Sequence, residues 1–279
     1  MIALTGCSDP CSASSLHEIS LLKEYLEGEG LEVQIGKSIV NAKEMRSAKE
    51  KAEELNAMFR NPAVTHIFDV SGGDLANTVL PYLDWDAIKS SEAVFYGYSD
   101  LTVLINAIIA KAHRPAVNWQ IRNLLGSHAD AQRSYFRDVI LQNQVSSQDY
   151  SVRFVRGESM KGTLIGGNTR CFLKLLGTPF MPDPDDAILL LEAYGGGEYR
   201  IRSMFEQYRQ AGIFDRISGI LLGTFTELER EGKSAQELIL EYLPDAVPVA
   251  HSKEIGHGDD AKAVRMGAET AFFWASQME

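Results

Sequence analysis

Basic residues are scarce in this 279-residue chain: lysine and arginine total 27 against 38 aspartates and glutamates, a formal net charge of −11. Nucleic acids and anionic membrane surfaces are held by basic faces, so neither is expected as a partner. Cysteine is scarcer still, with only Cys7, Cys11 and Cys171. Cys7 and Cys11 lie close together, but no second Cys/His pair completes a zinc site. Buried or free thiols in a reducing compartment are the expectation, and no metal site is expected. No segment approaches the ~20 apolar residues that a membrane helix requires. The opening MIALTGCSDP lacks a charged region followed by a long apolar run, so it does not read as a secretory signal. A soluble, cytoplasmic protein is expected. Internal repeats and low-complexity tracts are missing too.

What is there reads as globular. A hydrophobic content of 45% with 23% charged residues is enough to bury a sizeable core. The length suits one large α/β domain or two of ordinary size. In the first half strand-like and helix-like stretches alternate. Residues 1–5, 31–35, 65–70 and 94–98 read as strands; residues 15–28, 41–59, 74–80 and 101–112 read as helices. Such alternation implies a parallel sheet covered on both faces, with ligands beyond the carboxyl ends of its strands. Residues 126–157 turn polar and irregular and are read as a linker between a domain at 1–125 and a second at 158–279. In the second, strands are expected at 161–167, 187–191, 217–223 and 247–250, and helices at 169–176, 201–210 and 234–242.

The stretch VFYGYSDLTVLINAIIAKA, residues 94–112, is the most informative. It reads as a buried strand, a sharp turn with Ser99 at its apex, and a helix. A serine there projects from the sheet at the positive end of a helix, the geometry of a nucleophile elbow. Gly97 gives the turn room, while Leu101 stands where the better-known G-x-S-x-G pattern has its second glycine. The plainer alternative is a small polar residue capping the next helix.

A serine nucleophile needs a base, and the base needs a group to orient it. Six histidines are available. His17 and His128 suit solvated roles, His66 lies within a strand, and His113 can meet a helix C-terminus. Of His251 and His257, which follow the last apolar strand, His257 stands between glycines in a loop with little reason to hold it for packing. Glu192 ends the apolar run AILLLE, as a strand-end surface residue, a helix cap, or an orienting partner for a histidine. The glycine loop Ser71–Asp74 opens a helix and can aim free N–H groups at an oxyanion, or be a plain tight turn. It is neither a Walker A loop nor G-x-G-x-x-G. Asp183, Asp185 and Asp186 lie beside Pro182 and Pro184 on an expected surface turn and are taken as solvated. Arg170, Arg200 and Arg202 lie near the turns of the second half, where a forked hydrogen bond to a substrate carboxylate is possible.

The order SGGD, GYSD, GGN, LLLE, GILLGTFTE and GHG, from about Ile67 to Gly258, resembles the LD-carboxypeptidase family of serine peptidases. That family also includes self-immunity peptidases that destroy processed microcin C. The resemblance implies a nucleophile at Ser99, a glutamate at Glu192 and a histidine at His257. It implies an oxyanion hole from the backbone N–H groups of Gly73 and Asp100. It further implies a flavodoxin-like or Rossmann-like N-terminal domain joined to a smaller C-terminal α/β domain, usually as a homodimer. The implied activity is removal of the terminal D-alanine from a murein tetrapeptide, a small muropeptide substrate, with no cofactor. Arg202 and Trp119 are candidate substrate-binding residues. A microcin-immunity-like hydrolase acting on aminoacyl-adenylate analogues would need an aromatic surface, for which Trp119 or Tyr194 could serve. A non-catalytic peptide-binding protein on the same scaffold is the reading from another class. The chain departs from the family at PAVNWQ after the elbow helix, at Ala193 after the glutamate, and at AVRMGAETAF after the histidine. These departures bear on the substrate more than on the reaction.

Overall fold

The computed structural model describes residues 1–274, and its N-terminal half is built by strict strand–helix alternation. Strand β1 (Ile2–Thr5) leads through helix α1 (Ala13–Gly28) to β2 (Val33–Ile35), and α2 (Ala48–Arg60) leads to β3 (His66–Asp69). Then come α3 (Trp85–Ser90), β4 (Val94–Gly97), α4 (Thr102–Ala112) and β5 (Ala116–Asn118). Helix starts follow capping chemistry. Ser12 accepts an N–H at α1, Ser47 and Glu50 form a capping box at α2, and Asp84 accepts at α3. In space the strands run β2-β1-β3-β4-β5, all parallel, which is the flavodoxin-like order. The order reverses between β1 and β3, so the loops leaving those strands flank a crevice. Residues 6–9 and the Ser71–Asp74 loop lie there, and Ser99 follows the adjacent β4.

The rest of the chain contributes α5 (Ala129–Tyr135), β6 (Arg153–Arg156), β7 (Ser159–Asn168), α6 (Thr169–Leu173) and β8 (Ile188–Ala193). It continues with α7 (Glu198–Gln210), β9 (Gly219–Phe225), α8 (Thr226–Arg230), α9 (Ala235–Leu240), β10 (Val249–His251), β11 (Val264–Met266) and β12 (Glu269–Phe273). The second sheet is ordered β12-β7-β8-β9-β10-β6. Strands β7 to β10 are parallel within it, and the edge strands β12 and β6 are antiparallel to their neighbours. Strand β8 is buried along its whole length, as its apolar run from Ile188 to Leu191 requires for a strand covered on both faces. Strand β11 returns to the first sheet, antiparallel to β5. These are the two α/β sheets of a two-domain fold.

Residues 126–157 are not irregular throughout. They contain α5, a π-helical turn at Phe136–Ile140 and β6. Tyr135, Phe136, Ile140 and Val145 cover the outer face of the first sheet, against Phe68, Tyr96 and Trp119. Their spacing among polar residues is too sparse to read as a periodic face.

The two sheets meet through α4. Asn106 on its buried side donates to the Gly166 carbonyl at 2.7 Å and accepts from the Gly166 N–H at 2.9 Å. The Thr102 hydroxyl accepts from the Asn168 N–H at 2.9 Å. Such a close approach needs Gly167: with φ +127° it is in glycine's region, and a Cβ there would lie 2.8 Å from the Thr102 hydroxyl. The helix that follows Ser99 is thereby locked to the strand beside Glu192. Among the described residues no helix is long and apolar enough to cross a membrane.

Candidate active site

The elbow begins where β4 runs out. Ser99 has φ 55°, a left-handed conformation that costs a non-glycine residue roughly 1–3 kcal/mol. The turn is enforced on both sides. The Trp119 N–H donates to the Gly97 carbonyl at 2.8 Å, and the Leu101 N–H to the Tyr98 carbonyl at 3.0 Å. A Cβ on Gly97 would lie 2.6 Å from the Leu101 Cβ, so only glycine lets the helix start so close to the strand. Leu101, the departure from the better-known elbow pattern, is the side chain that packs there.

Strand register brings the glutamate into place. Asn168 at the end of β7 is directly opposite Glu192 on β8, and its amide donates to Glu192 Oε1 at 3.1 Å. The other carboxylate oxygen lies 2.6 Å from His257 Nδ1. His257 Nε2 in turn lies 3.3 Å from the Ser99 hydroxyl. Glu192 is fully buried, while the His257 side chain keeps 11% exposure. A buried carboxylate accepting from Nδ1–H fixes the imidazole tautomer, leaving Nε2 to accept the serine proton. Tyr98 and Tyr194 flank the imidazole, with ring centroids 4.4 and 5.2 Å away. Burial, and then the Glu192 charge, push the Tyr98 phenol well above its ordinary range, so it stays neutral beside the carboxylate. An arrangement of this kind can deprotonate a serine as it attacks a carbonyl.

The segment after the glycine loop is tied to the elbow, its Ala76 N–H donating to Asp100. The Gly73 and Asp100 N–H groups meet no acceptor among the described residues. Asp9, from the loop after β1, accepts from the Asp74 and Leu75 N–H groups at 3.0 and 3.1 Å. From the other side Arg170 donates to the Gly73 carbonyl at 3.0 Å and pairs with Asp74. Its hydrogen bond holds the Asp74 carboxyl below the usual range. The buried Asp100 carboxylate takes Ser8 Oγ at 2.6 Å, the Ala76 N–H at 2.9 Å and Lys174 Nζ at 2.5 Å. One carboxylate thus joins the elbow, both loops of the crevice and the second sheet's α6 region.

Sequence reasoning did not assign Asn168, Asp9 or Lys174 a role. The parallel pairing of GGN with LLLE could have pointed to Asn168; nothing local marks the other two. Trp119 and Arg202, expected as substrate-binding residues, have protein partners in the structure. Trp119 is 2% exposed and packs at 6.2 Å from Phe68 and 6.1 Å from Phe136, centroid to centroid. Just past the end of β5, it belongs to the buried cluster on the outer face of the first sheet. Arg202 is committed to Glu198 at 2.8 Å and Glu241 at 2.5 Å. Burial pushes the Cys7, Cys11 and Cys171 thiols up, Cys171 to about 12, which disfavours a thiolate nucleophile. No group of three or more His, Cys, Asp or Glu side chains suited to a metal ion occurs among the described residues.

Both halves of the chain match known protein domains. Residues 2–118 match the N-terminal domain model of the LD-carboxypeptidases, and residues 161–272 match their C-terminal domain model. The murein tetrapeptide carboxypeptidase of Pseudomonas aeruginosa is 27% identical, over 91% of this chain and 88% of its own length. The microcin C7 self-immunity protein of Escherichia coli is 24% identical, over 97% of this chain and 89% of its own. A solved structure of a microcin C7 self-immunity protein, an inactive mutant in its apo state, superposes with a TM-score of 0.85 at 22% identity. That match covers 97% of this chain and 92% of the other.

Proposed function

This chain belongs to the LD-carboxypeptidase family, and on that premise we propose that it is a serine carboxypeptidase that removes the terminal D-alanine of murein tetrapeptides. The observation that carries the proposal is the unbroken line of contacts from Ser99 through His257 to the buried Glu192. Ser99 Oγ attacks the amide carbonyl while its proton passes to His257 Nε2. Glu192 holds the imidazole and stabilises its charged form. The developing oxyanion sits against the N–H groups of Gly73 and Asp100, roughly 3 kcal/mol for each such donor. His257 then gives the proton to the departing amine of D-alanine, leaving an acyl-enzyme at Ser99. Water, deprotonated by the same imidazole, releases the acid and restores the serine. This chemistry needs neither a metal nor an organic cofactor. A cytoplasmic muropeptide-recycling role and a homodimer belong to the same proposal, as does the division into domains at 1–125 and 158–279.

A second reading has support in Tyr194, which is 55% exposed and beside His257. It offers an aromatic surface for the base of an aminoacyl-adenylate analogue, hydrolysed by the same residues. Labelling separates a hydrolase from a peptide-binding protein. A fluorophosphonate is expected to modify Ser99 in the wild type and to leave Ser99→Ala and His257→Gln unmodified, as read by intact-mass and peptide mapping. An unmodified wild type would contradict the serine-hydrolase reading. Competition by muropeptide against adenylate analogues then ranks the two substrates.

A further inference from the structure

The loop that carries His257 has no regular secondary structure to hold it. Gly256 and Gly258 flank the histidine, and residues 252–262 form no strand or helix. Before the histidine the Ile255 carbonyl accepts from the Thr224 N–H at 2.8 Å, and the Lys262 N–H closes the loop on the Glu254 carbonyl at 2.8 Å. On the far side of the histidine the loop's anchors come from the stretch that the sequence presents as a linker. Asp259 Oδ2 accepts from the Ser127 N–H at 2.6 Å and from the Ser127 hydroxyl at 2.5 Å, and Asp259 Oδ1 lies 2.9 Å from His128 Nδ1. These bonds, the Ser127 hydroxyl first and then His128, hold the Asp259 carboxyl down to about 2. The approach depends on Gly126, where a Cβ would lie 2.9 Å from the Asp259 Cβ. Further along α5, Gln132 donates to the Ala261 carbonyl at 3.2 Å. It does so at 2% exposure, where an amide is costly to place without a partner. Lys262 stands over the Tyr135 ring at 4.6 Å, and Glu254 accepts from the Ser151 N–H at 2.6 Å.

We propose that α5 and the turn before it are a brace for the general base, with Asp259 and Gln132 as positioning residues that hold His257 between Glu192 and Ser99. The proposal rests on the reading of His257 as that base. A surface ion pair alone is worth little. Here a carboxylate two residues from the histidine takes a backbone N–H, a hydroxyl and an imidazole, and a buried amide grips the same loop a turn later. The function of the contacts is geometric: a displacement of about 1 Å at a reacting group can cost on the order of a hundredfold in rate.

Two readouts test this on the full chain. The first is the far-downfield proton resonance of His257 Nδ1–H, assigned by its loss in His257→Gln. The second is the rate of Ser99 phosphonylation. Asp259→Ala is expected to broaden the resonance into water exchange and to slow phosphonylation roughly tenfold to a hundredfold. Asp259→Asn, which still offers Ser127 an acceptor, is expected to keep the resonance and most of the rate. Gln132→Ala should behave as Asp259→Ala does, to a smaller degree. A resonance and rate unchanged in Asp259→Ala would overturn the brace, as would equal loss in Asp259→Asn or a wild type without the resonance. If the wild type shows the resonance but resists phosphonylation, the hydrolase reading fails and the resonance alone decides the brace.

Discussion

Ser99, His257 and Glu192 come from segments that are far apart in the chain, and each stands out locally for a physical reason. Ser99 occupies a left-handed turn that Gly97 makes possible; Glu192 breaks an apolar strand; His257 lies between glycines. Those anomalies were legible as residues. Asn168 was not, because its meaning depends on the register that sets it opposite Glu192. The burial of Trp119 was not legible either, because the residue just after β5 carries no local sign of the face on which it packs. The glutamate gives the sharpest prediction at this scale. Glu192→Gln keeps an oxygen for Asn168 but presents an amide N–H₂ to His257 Nδ1. The imidazole must then accept at Nδ1 and carry its proton at Nε2, where Ser99 needs an acceptor. On the proposed mechanism kcat should fall by about 10³–10⁴ with KM nearly unchanged. Steady-state kinetics with circular dichroism as a folding control checks this; a loss of only a few fold would contradict the assigned role.

The long elements were the easiest to read. The apolar β8 lies close to its expected position, whereas α2 begins at Ala48, seven residues later than expected, because Ser47 and Glu50 form the capping box that starts it there. The strands β5, β6, β11 and β12 were missed, since segments this short carry no useful period of their own. Their identity comes from the partners they find. The junction of α4 with β7 is likewise invisible in either element alone. Asn106 bonds both the N–H and the carbonyl of Gly166 inside the core. Asn106→Ala should leave both groups unpaired, at about 1–3 kcal/mol each. A loss of roughly 3 kcal/mol in urea denaturation is expected, with a larger fractional loss of activity than of folded protein at low urea. Wild-type stability in the variant would show that the junction does not hold the sheets in register.

Across the whole molecule the two sheets are more interdependent than the order of the chain suggests. One buried apolar cluster runs from α2 and α4 into the second sheet, β11 returns from the C-terminal part to the first sheet, and Asp100 bonds Lys174 across the crevice. Calorimetry is therefore expected to show one cooperative transition, although the chain has two domains; two resolved transitions would contradict that coupling. The alternation of the N-terminal half and the motif order made this architecture legible, whereas the interleaving through β11 and α5 was not, because neither carries a strong sequence signal. The same interleaving places the serine of one sheet against the glutamate and histidine of the other. The central claim is that this junction is a serine carboxypeptidase site, and release of D-alanine from a purified murein tetrapeptide tests it most directly. Release by the wild type and none by Ser99→Ala is the predicted result. Equal release by both proteins, or none by the wild type, would contradict the account.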